Sequence, residues 1–392
     1  MDNLPVHVFL EILLLLPVKS LLGLKLVCKS WRSHISNREF VKRHVLRTRN
    51  NPNNDLFIIV SLSASSGPYA DKLSVNNVNF VDRAISLNIP IPVSDDIYDL
   101  DYVVGSCNGL LCLAYVCNPP ETSQHKLYLW NPATTQIKDI HRYTIEESPN
   151  NIPDYIVSFG FGFDYATSDY KVVRIVQSVV NRVEVYSSNE DLLLVNRVEV
   201  YSLNEDSWKE IEVELEFGRI ECPLIPAIVD GSIYWMLARN DFDDYGVDIL
   251  SFDLQSKRFS KILVPDSLEN LWCHEEEEPC SEILVFEYKE SVAITYTTLN
   301  KEMCIYFILH CKHFFLGFPT NKKDNDNCWI KKVSIKSLKT LHGCLKTGEF
   351  IGCNSCDEIV LYDPVNQVVK PIQHKPNNFE THCYTESLFN LN

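Results

Sequence analysis

The residues most able to do chemistry are cysteines and histidines. Cys353-x-x-Cys356 has metal or redox spacing. Trp272-Cys273-His274, followed by Glu275 to Glu278 and Cys280, gathers soft and hard ligands in one stretch. Neither set is completed. The nearest candidates to the first pair, His342 and Cys344, stand two apart, and four consecutive glutamates read as a solvated loop. Gly160 and Gly162 in FGFGFD lack the following helix that a phosphate loop requires. No Gly-x-Ser-x-Gly elbow, HExxH pair or kinase set occurs, and the 11 histidines form no nucleophile–base grouping. Cys107, Cys112 and Cys117 flank a strand and read as small core or turn residues. The expectation is a chain without catalytic residues, metal or cofactor, whose work is binding.

Binding chemistry is better represented. Three acidic clusters fall where connections are expected: Asp95, Asp96, Asp99 and Asp101; Asp241, Asp243, Asp244 and Asp248; and Glu275 to Glu278. Aromatic residues in the same stretches add contact area that tends to dominate protein interfaces. Tyr98, Asp99, Phe242, Asp244, Tyr245, Trp272 and Glu276 are therefore the candidate contacts for a protein target.

The elements that position these residues begin with a helical cluster. Pro5 suits the first turn of a helix, with Asp2 and Asn3 as caps, and only His7 and Glu11 are polar from Val6 to Leu16. Pro17 should end that helix. Ser20 can cap a second, Leu21 to Val27; Lys29 to Ile35 reads as a third; Ser36-x-x-Glu39 is a capping box for a fourth. A helix apolar on all sides must be covered on all sides, and helices this short cannot cover one another. The leftover face is a docking face for another chain, or for the rest of this one.

Leu4-Pro5, Ile12-Leu13, Leu16-Pro17, Leu21-Leu22 and Val27-Cys28-Lys29-x-Trp31 resemble the F-box, the module that holds a Skp-type adaptor in a cullin–RING ubiquitin ligase. The resemblance implies adaptor contacts from Leu4, Pro5, Ile12, Leu13, Leu16, Pro17, Leu21, Val27, Cys28 and Trp31. A signal peptide is a poor reading, because Glu11 and Pro17 break the apolar run and no basic region precedes it.

The chain has 392 residues and 14 cysteines, and nothing approaches a membrane-spanning run. Without a secretory signal, that cysteine count fits free thiols in a cytoplasmic or nuclear protein. Net charge is −16, but residues 1–50 hold nine Lys/Arg against Asp2, Glu11 and Glu39, leaving about −22 on the remainder. Such a body makes nucleic acid a poor partner and a basic protein surface a good one.

NNPNN at 50–54 is a polar break, separating a helical module at 1–48 from a second domain at 55–392. Short runs rich in Val, Ile, Tyr and Phe then recur between Gly, Asn, Asp and Pro. LYLWNPATTQIKDI, VEVYSLNEDSWKEI, ILSFDLQSKRFSKI and IVLYDPVNQVVKPI share one layout. A strand ends in Trp130, Tyr201, Phe252 or Tyr362; Asn, Ser or Asp turns the chain; seven residues past the aromatic stands Ile137, Trp208, Phe259 or Val369. VNRVEVYSSNED at 180–191 recurs as VNRVEVYSLNED at 195–206, a tandem duplication of 15 residues. Discounting one copy, and taking Tyr306 as a fifth marker whose return strand from Cys328 is delayed by an insertion, gives a period near 50 residues. That is the period of propeller blades. The expected fold is a small all-α module followed by an all-β propeller, six blades favoured and seven the alternative. Tyr384-x-Glu386-Ser387-Leu388 should supply a closing strand, and Gly160 and Gly162 should let a strand pass close to the central channel.

GSCNGLLCL, LWNPATTQIK, FGFGFDYATSDYKVVRI and the second and third repeats resemble the F-box-associated, kelch-like domain of a large plant family. The resemblance implies a non-catalytic substrate receptor of an SCF-type ubiquitin ligase. One rival is a propeller scaffold acting without ubiquitination, and another is a kelch-like enzyme or sugar binder.

Overall fold

The computed structural model describes residues 5–49, 56–61, 72–77, 80–90, 97–117, 125–140, 155–180, 193–213, 217–220, 225–238, 247–264, 284–297, 303–308, 329–372 and 379–391. Four helices come first: α1 Val6–Leu14, α2 Val18–Leu24, α3 Lys29–Ile35 and α4 Arg38–Arg49. Several boundaries differ from expectation, α2 ending at Leu24 rather than Val27 among them. Pro17 opens α2 as its N-cap rather than merely ending α1, because its fixed φ is ready for a helix start and Val18 behind it is buried. This moves the second helix upstream of Ser20. Ser36 sits in α-helical geometry at the end of α3, so it cannot cap the next helix. Asn37 does so instead, its Oδ1 accepting the N–H groups of Glu39 and Phe40 at 2.9 and 3.4 Å. Among the described residues no helix is long and apolar enough to cross a membrane.

The strands that follow form six four-stranded antiparallel sheets. β1 Leu56–Ser61, β2 Lys72–Asn77 and β3 Phe80–Asn88 begin the first. β4 Ile97–Cys107, β5 Leu110–Cys117, β6 His125–Asn131 and β7 Gln136–Ile140 make the second. The third is β8 Tyr155–Asp164, β9 Asp169–Val180, β10 Leu193–Ser202 and β11 Ser207–Ile211. The fourth is β12 Ala227–Val229, β13 Ser232–Ala238, β14 Val247–Asp253 and β15 Arg258–Leu263. The fifth is β16 Val285–Tyr288, β17 Ser291–Thr297, β18 Met303–Ile308 and β19 Trp329–Ile335. The sixth is β20 Thr340–Cys344, β21 Phe350–Cys353, β22 Ile359–Asp363 and β23 Val368–Pro371. β24 Phe379–Tyr384 pairs with β1 and completes the first sheet in the order β24-β1-β2-β3. Against the expectation of six blades, with seven the alternative, stand five sheets of four consecutive strands and one composite sheet. The closing strand ends at Tyr384, so residues 385–391 lie beyond it.

The repeat has a direct structural cause. In four copies the aromatic on the third strand pairs with the residue seven positions later on the fourth: Trp130 with Ile137, Tyr201 with Trp208, Phe252 with Phe259, Tyr362 with Val369. The turn between them is capped from its first residue. Asn131 Oδ1 accepts from the Ala133 N–H at 3.0 Å, Ser202 Oγ from Glu205 at 3.2 Å, and Asp363 Oδ1 from Val365 at 2.8 Å. Four positions on, Thr135, Asp206, Lys257 and Gln367 take positive φ of 50–58°, which returns the chain in register. The β18–β19 pairing confirms Tyr306 as the fifth copy with a delayed return strand. The second copy of the duplication supplies β10 and its turn; most of the first lies outside the described residues.

Two compact units are distinguished by their internal contacts. The first comprises Met1–Arg142, Leu345–Thr347 and Ile372–Asn392; the second comprises Tyr143–Cys344 and Gly348–Pro371. In the second unit, Gly160 and Gly162 make a close approach possible. A Cβ on Gly160 would stand 2.6 Å from Trp235 and 2.8 Å from Ile233, and one on Gly162 would stand 2.7 Å from Leu254. The missing side chains let β8 lie against the next sheet, and Trp235 Nε1 donates to the Phe159 carbonyl at 3.0 Å. Several buried charges in this unit are paired. Lys171 meets Asp164 and the Leu254 carbonyl, while Arg174 and Arg197 converge on Glu199 at 3.1 and 2.9 Å.

Candidate functional site: the helical docking face

The helical core consists of Leu13, Leu14, Val18, Leu21, Ile35, Phe40 and Val41, joined by Leu388 from beyond β24. Phe9 packs on Trp31 at 5.2 Å between ring centroids, and both border this core. His44 is buried on α4 with Nε2 2.9 Å from the Leu16 carbonyl, tying α4 to the corner between α1 and α2. Burial holds the His44 imidazole below its ordinary pKa, against a raising effect of that carbonyl. Glu11 on α1 pairs with Arg43 and lies 3.9 Å from Arg47, closing the same corner from outside.

This packing divides the sequence-derived contacts. Pro5, Ile12, Pro17, Val27 and Cys28 are exposed; Leu16 and Trp31 are half-buried against the core; Leu13 and Leu21 are buried in it; Leu4 lies outside the described residues. The last two leucines therefore hold the module together and offer a partner nothing directly. In their place the structure exposes apolar side chains the pattern did not single out. Leu15 is 63 % exposed and Leu26 87 %, beside Ile12 at 47 % and Val27 at 62 %. Leu15 caps α1, and Leu26 and Val27 fill the turn before α3, where the Cys28 sulfur accepts the Trp31 N–H. Large aliphatics exposed on so small a module make a candidate docking ledge.

The target-contact candidates fare differently. Tyr98 and Asp99 lie within strand β4, as does Asp101, rather than in a connection. Asp248 is likewise a strand residue of β14, buried, accepting the Val264 N–H and paired with Lys261 at 2.8 Å. Asp248 belongs to its sheet because it sits between the buried Val247 and Ile249. Phe242, Asp244, Tyr245, Trp272 and Glu276 lie outside the described residues.

The thiol pair is not a pair in space with a shared ligand set. Cys353 is buried at 3.7 Å from His342 Nε2, which also lies 3.1 Å from Thr340 Oγ1, while Cys356 is exposed. Burial pushes the His342 pKa down to about 4. Among the described residues no group of three or more His, Cys, Asp or Glu is arranged to hold a metal. The buried Cys112 thiol is pushed well above its usual pKa, as a core residue should be.

Comparison with known proteins meets this geometry at both ends. The F-box domain model matches residues 1–43, and the F-box associated beta propeller domain model matches residues 69–277, more than half the chain. The chain belongs to the F-box associated β-propeller family. An F-box/kelch-repeat protein of Arabidopsis thaliana is 31% identical over 201 residues, 48% of this chain and 50% of that protein. A second Arabidopsis thaliana F-box protein is 25% identical over 284 residues, 68% of this chain and 61% of its own. The chain spans half to three fifths of the length of these relatives. Among solved structures, a putative 6-phosphogluconolactonase from Bacteroides fragilis overlaps 85% of this chain and 99% of its own, at 7% identity and a TM-score of 0.38. The F-box match covers α1 to α3 and the start of α4, so the exposed ledge of Ile12, Leu15, Leu26 and Val27 is an F-box surface. The sheets from β2 to β15 lie within the propeller match.

Proposed function

We propose that this chain is the substrate receptor of an SCF-type ubiquitin ligase. Residues 1–48 act as the adaptor-holding module, and residues 55–392 as the propeller that captures a protein target. The observation that carries this reading is the exposure of Ile12, Leu15, Leu26 and Val27 on a module whose core already buries Leu13, Leu14 and Leu21. A Skp-type adaptor that covers the ledge brings a cullin–RING ligase with it. The receptor performs no bond chemistry; it raises the effective concentration of target lysines at a separately recruited ubiquitin-conjugating enzyme. The acidic balance of the chain beyond residue 50 favours a target with a basic surface, met in the cytoplasm or nucleus.

Affinity purification of the full chain with the proteasome blocked, followed by mass spectrometry, tests the reading. Adaptor, cullin and a ubiquitinated target should co-purify. Adaptor without cullin would favour a scaffold that does not ubiquitinate, and no adaptor at all would refute the assignment of the ledge.

A further inference from the structure

We propose that Asn131 is a positioning residue: it clamps residues 385–391 as a latch between the F-box helices and the β4–β7 sheet, so that the docking ledge keeps one orientation relative to that sheet. The inference rests on the receptor reading for its purpose, though not for its geometry.

Four turns of like form begin at Asn131, Ser202, Asp253 and Asp363, and capping such a turn needs only an acceptor oxygen. Asn131 alone of the four carries amide N–H donors. It is fully buried, and its Nδ2 donates to the carbonyls of Ser387 and Phe389 at 3.1 and 2.8 Å. Because Oδ1 is held by the Ala133 and Thr134 N–H groups, the amide has one orientation and all its bonds are made. Gln136, directly across the ladder from Asn131, repeats the pattern. Its Nε2 donates to Asn390 Oδ1 at 2.6 Å, and its Oε1 accepts the Leu391 N–H at 3.3 Å.

The neighbouring turn is shaped to the same segment. Gly109 has φ of +84°, and a Cβ there would stand 2.2 Å from Ser387 Cβ and 2.7 Å from the Thr385 carbonyl. Opposite this polar grip, Leu388 is buried among the helical leucines, with Phe389 and Ala133 at the edge of that core. Glu386 lies within electrostatic reach of Lys19, which belongs to α2. One short stretch therefore gives its backbone to a sheet and its leucine to the helices. Small, polar inter-domain contacts leave domains free to move relative to each other, whereas a shared core and a buried amide clamp do not.

The test uses the full chain carrying two dyes, introduced through unnatural amino acids at the exposed positions Ser33 and Asp139. Single-molecule energy transfer reads the distance distribution. Asn131→Asp keeps the turn-capping oxygen and sets a second carboxylate oxygen against two carbonyls. Deletion of residues 386–392 removes the latch outright. The parent should show one narrow distribution, and both variants should broaden it about twofold or more, as freed domains do. Thermal unfolding of the sheets in Asn131→Asp should match the parent. A parental width in both variants overturns the latch, and broadening in the deletion alone overturns the role of Asn131. Binding of purified Skp-type adaptor is measured on the same samples. Loss of adaptor binding by the parent would sink the receptor reading, while the distance widths would still decide the latch.

Discussion

Truncating Leu26 to alanine separates the docking ledge from the helical core more cleanly than any other change. The substitution removes three carbons, about 2.4 kcal/mol of transfer free energy at ~0.8 kcal/mol per methylene. Leu26 is 87 % exposed in the free chain, so nearly all of that is gained only when a partner covers it. Full cover therefore predicts a loss of about 2 kcal/mol, or roughly 30-fold in adaptor Kd. Leu13→Ala is the control. Leu13 is buried, so its truncation should cost the module about 2–5 kcal/mol of stability through the cavity it leaves, with the affinity of folded protein unchanged. Titration calorimetry against purified Skp-type adaptor, paired with urea unfolding, reads both quantities. Substituting Leu16 or Trp31 would mix the two effects, because both are half-buried against the core. An Leu26→Ala affinity within twofold of the parent would refute the ledge.

Other outcomes follow from the sheets. Gly160→Ala should destabilise by about 1–3 kcal/mol, because Trp235 is pinned by its bond to the Phe159 carbonyl and cannot swing aside; an unchanged Tm would refute the close packing. Glu199→Gln should cost about 3 kcal/mol or more by leaving Arg174 buried without a counter-charge, whereas Glu210→Gln on the exposed side should cost under ~0.5 kcal/mol. Acid should weaken the sheet holding His342. Its folded pKa of about 4 lies below the ordinary 6.5, so the unfolded chain takes up a proton that the folded one refuses. Stability is then full above pH 6.5 and falls as the pH drops from 6.5 toward 4, by at most about 3 kcal/mol, and His342→Gln should remove that dependence in pH-resolved unfolding.

The sheets were legible in the sequence wherever their cause is local. An aromatic, a capping turn residue and an apolar partner seven positions on are a single hairpin, so Trp130, Tyr201, Phe252 and Tyr362 announced their sheets. The composite sheet was only half legible, since β24 finds β1 through the fold and no local signal marks where that strand stops. The docking ledge was legible as a pattern but not by residue. In a run from Val6 to Leu16 with leucine on every side, α4 and Leu388 decide which leucines are buried, and both lie downstream. Asp248 misled for the opposite reason, because an acidic residue beside others reads as loop until Lys261 is seen across the ladder. Asn131 left one trace, an amide where the sister turns carry serine or aspartate.

The pairing of Leu56 with Tyr384 has a consequence for how the protein is made. During synthesis β1 leaves the ribosome well before its partner β24, with the other five sheets made in between. Until β24 is made, the first sheet presents an open hydrogen-bonding edge, a hazard for sticking to other nascent chains. Long-range closure of this kind is also slow once the chain is free. Cellular abundance should therefore depend on chaperone supply more than on the strength of any one sheet, and premature termination just before residue 379 should yield a product prone to aggregate.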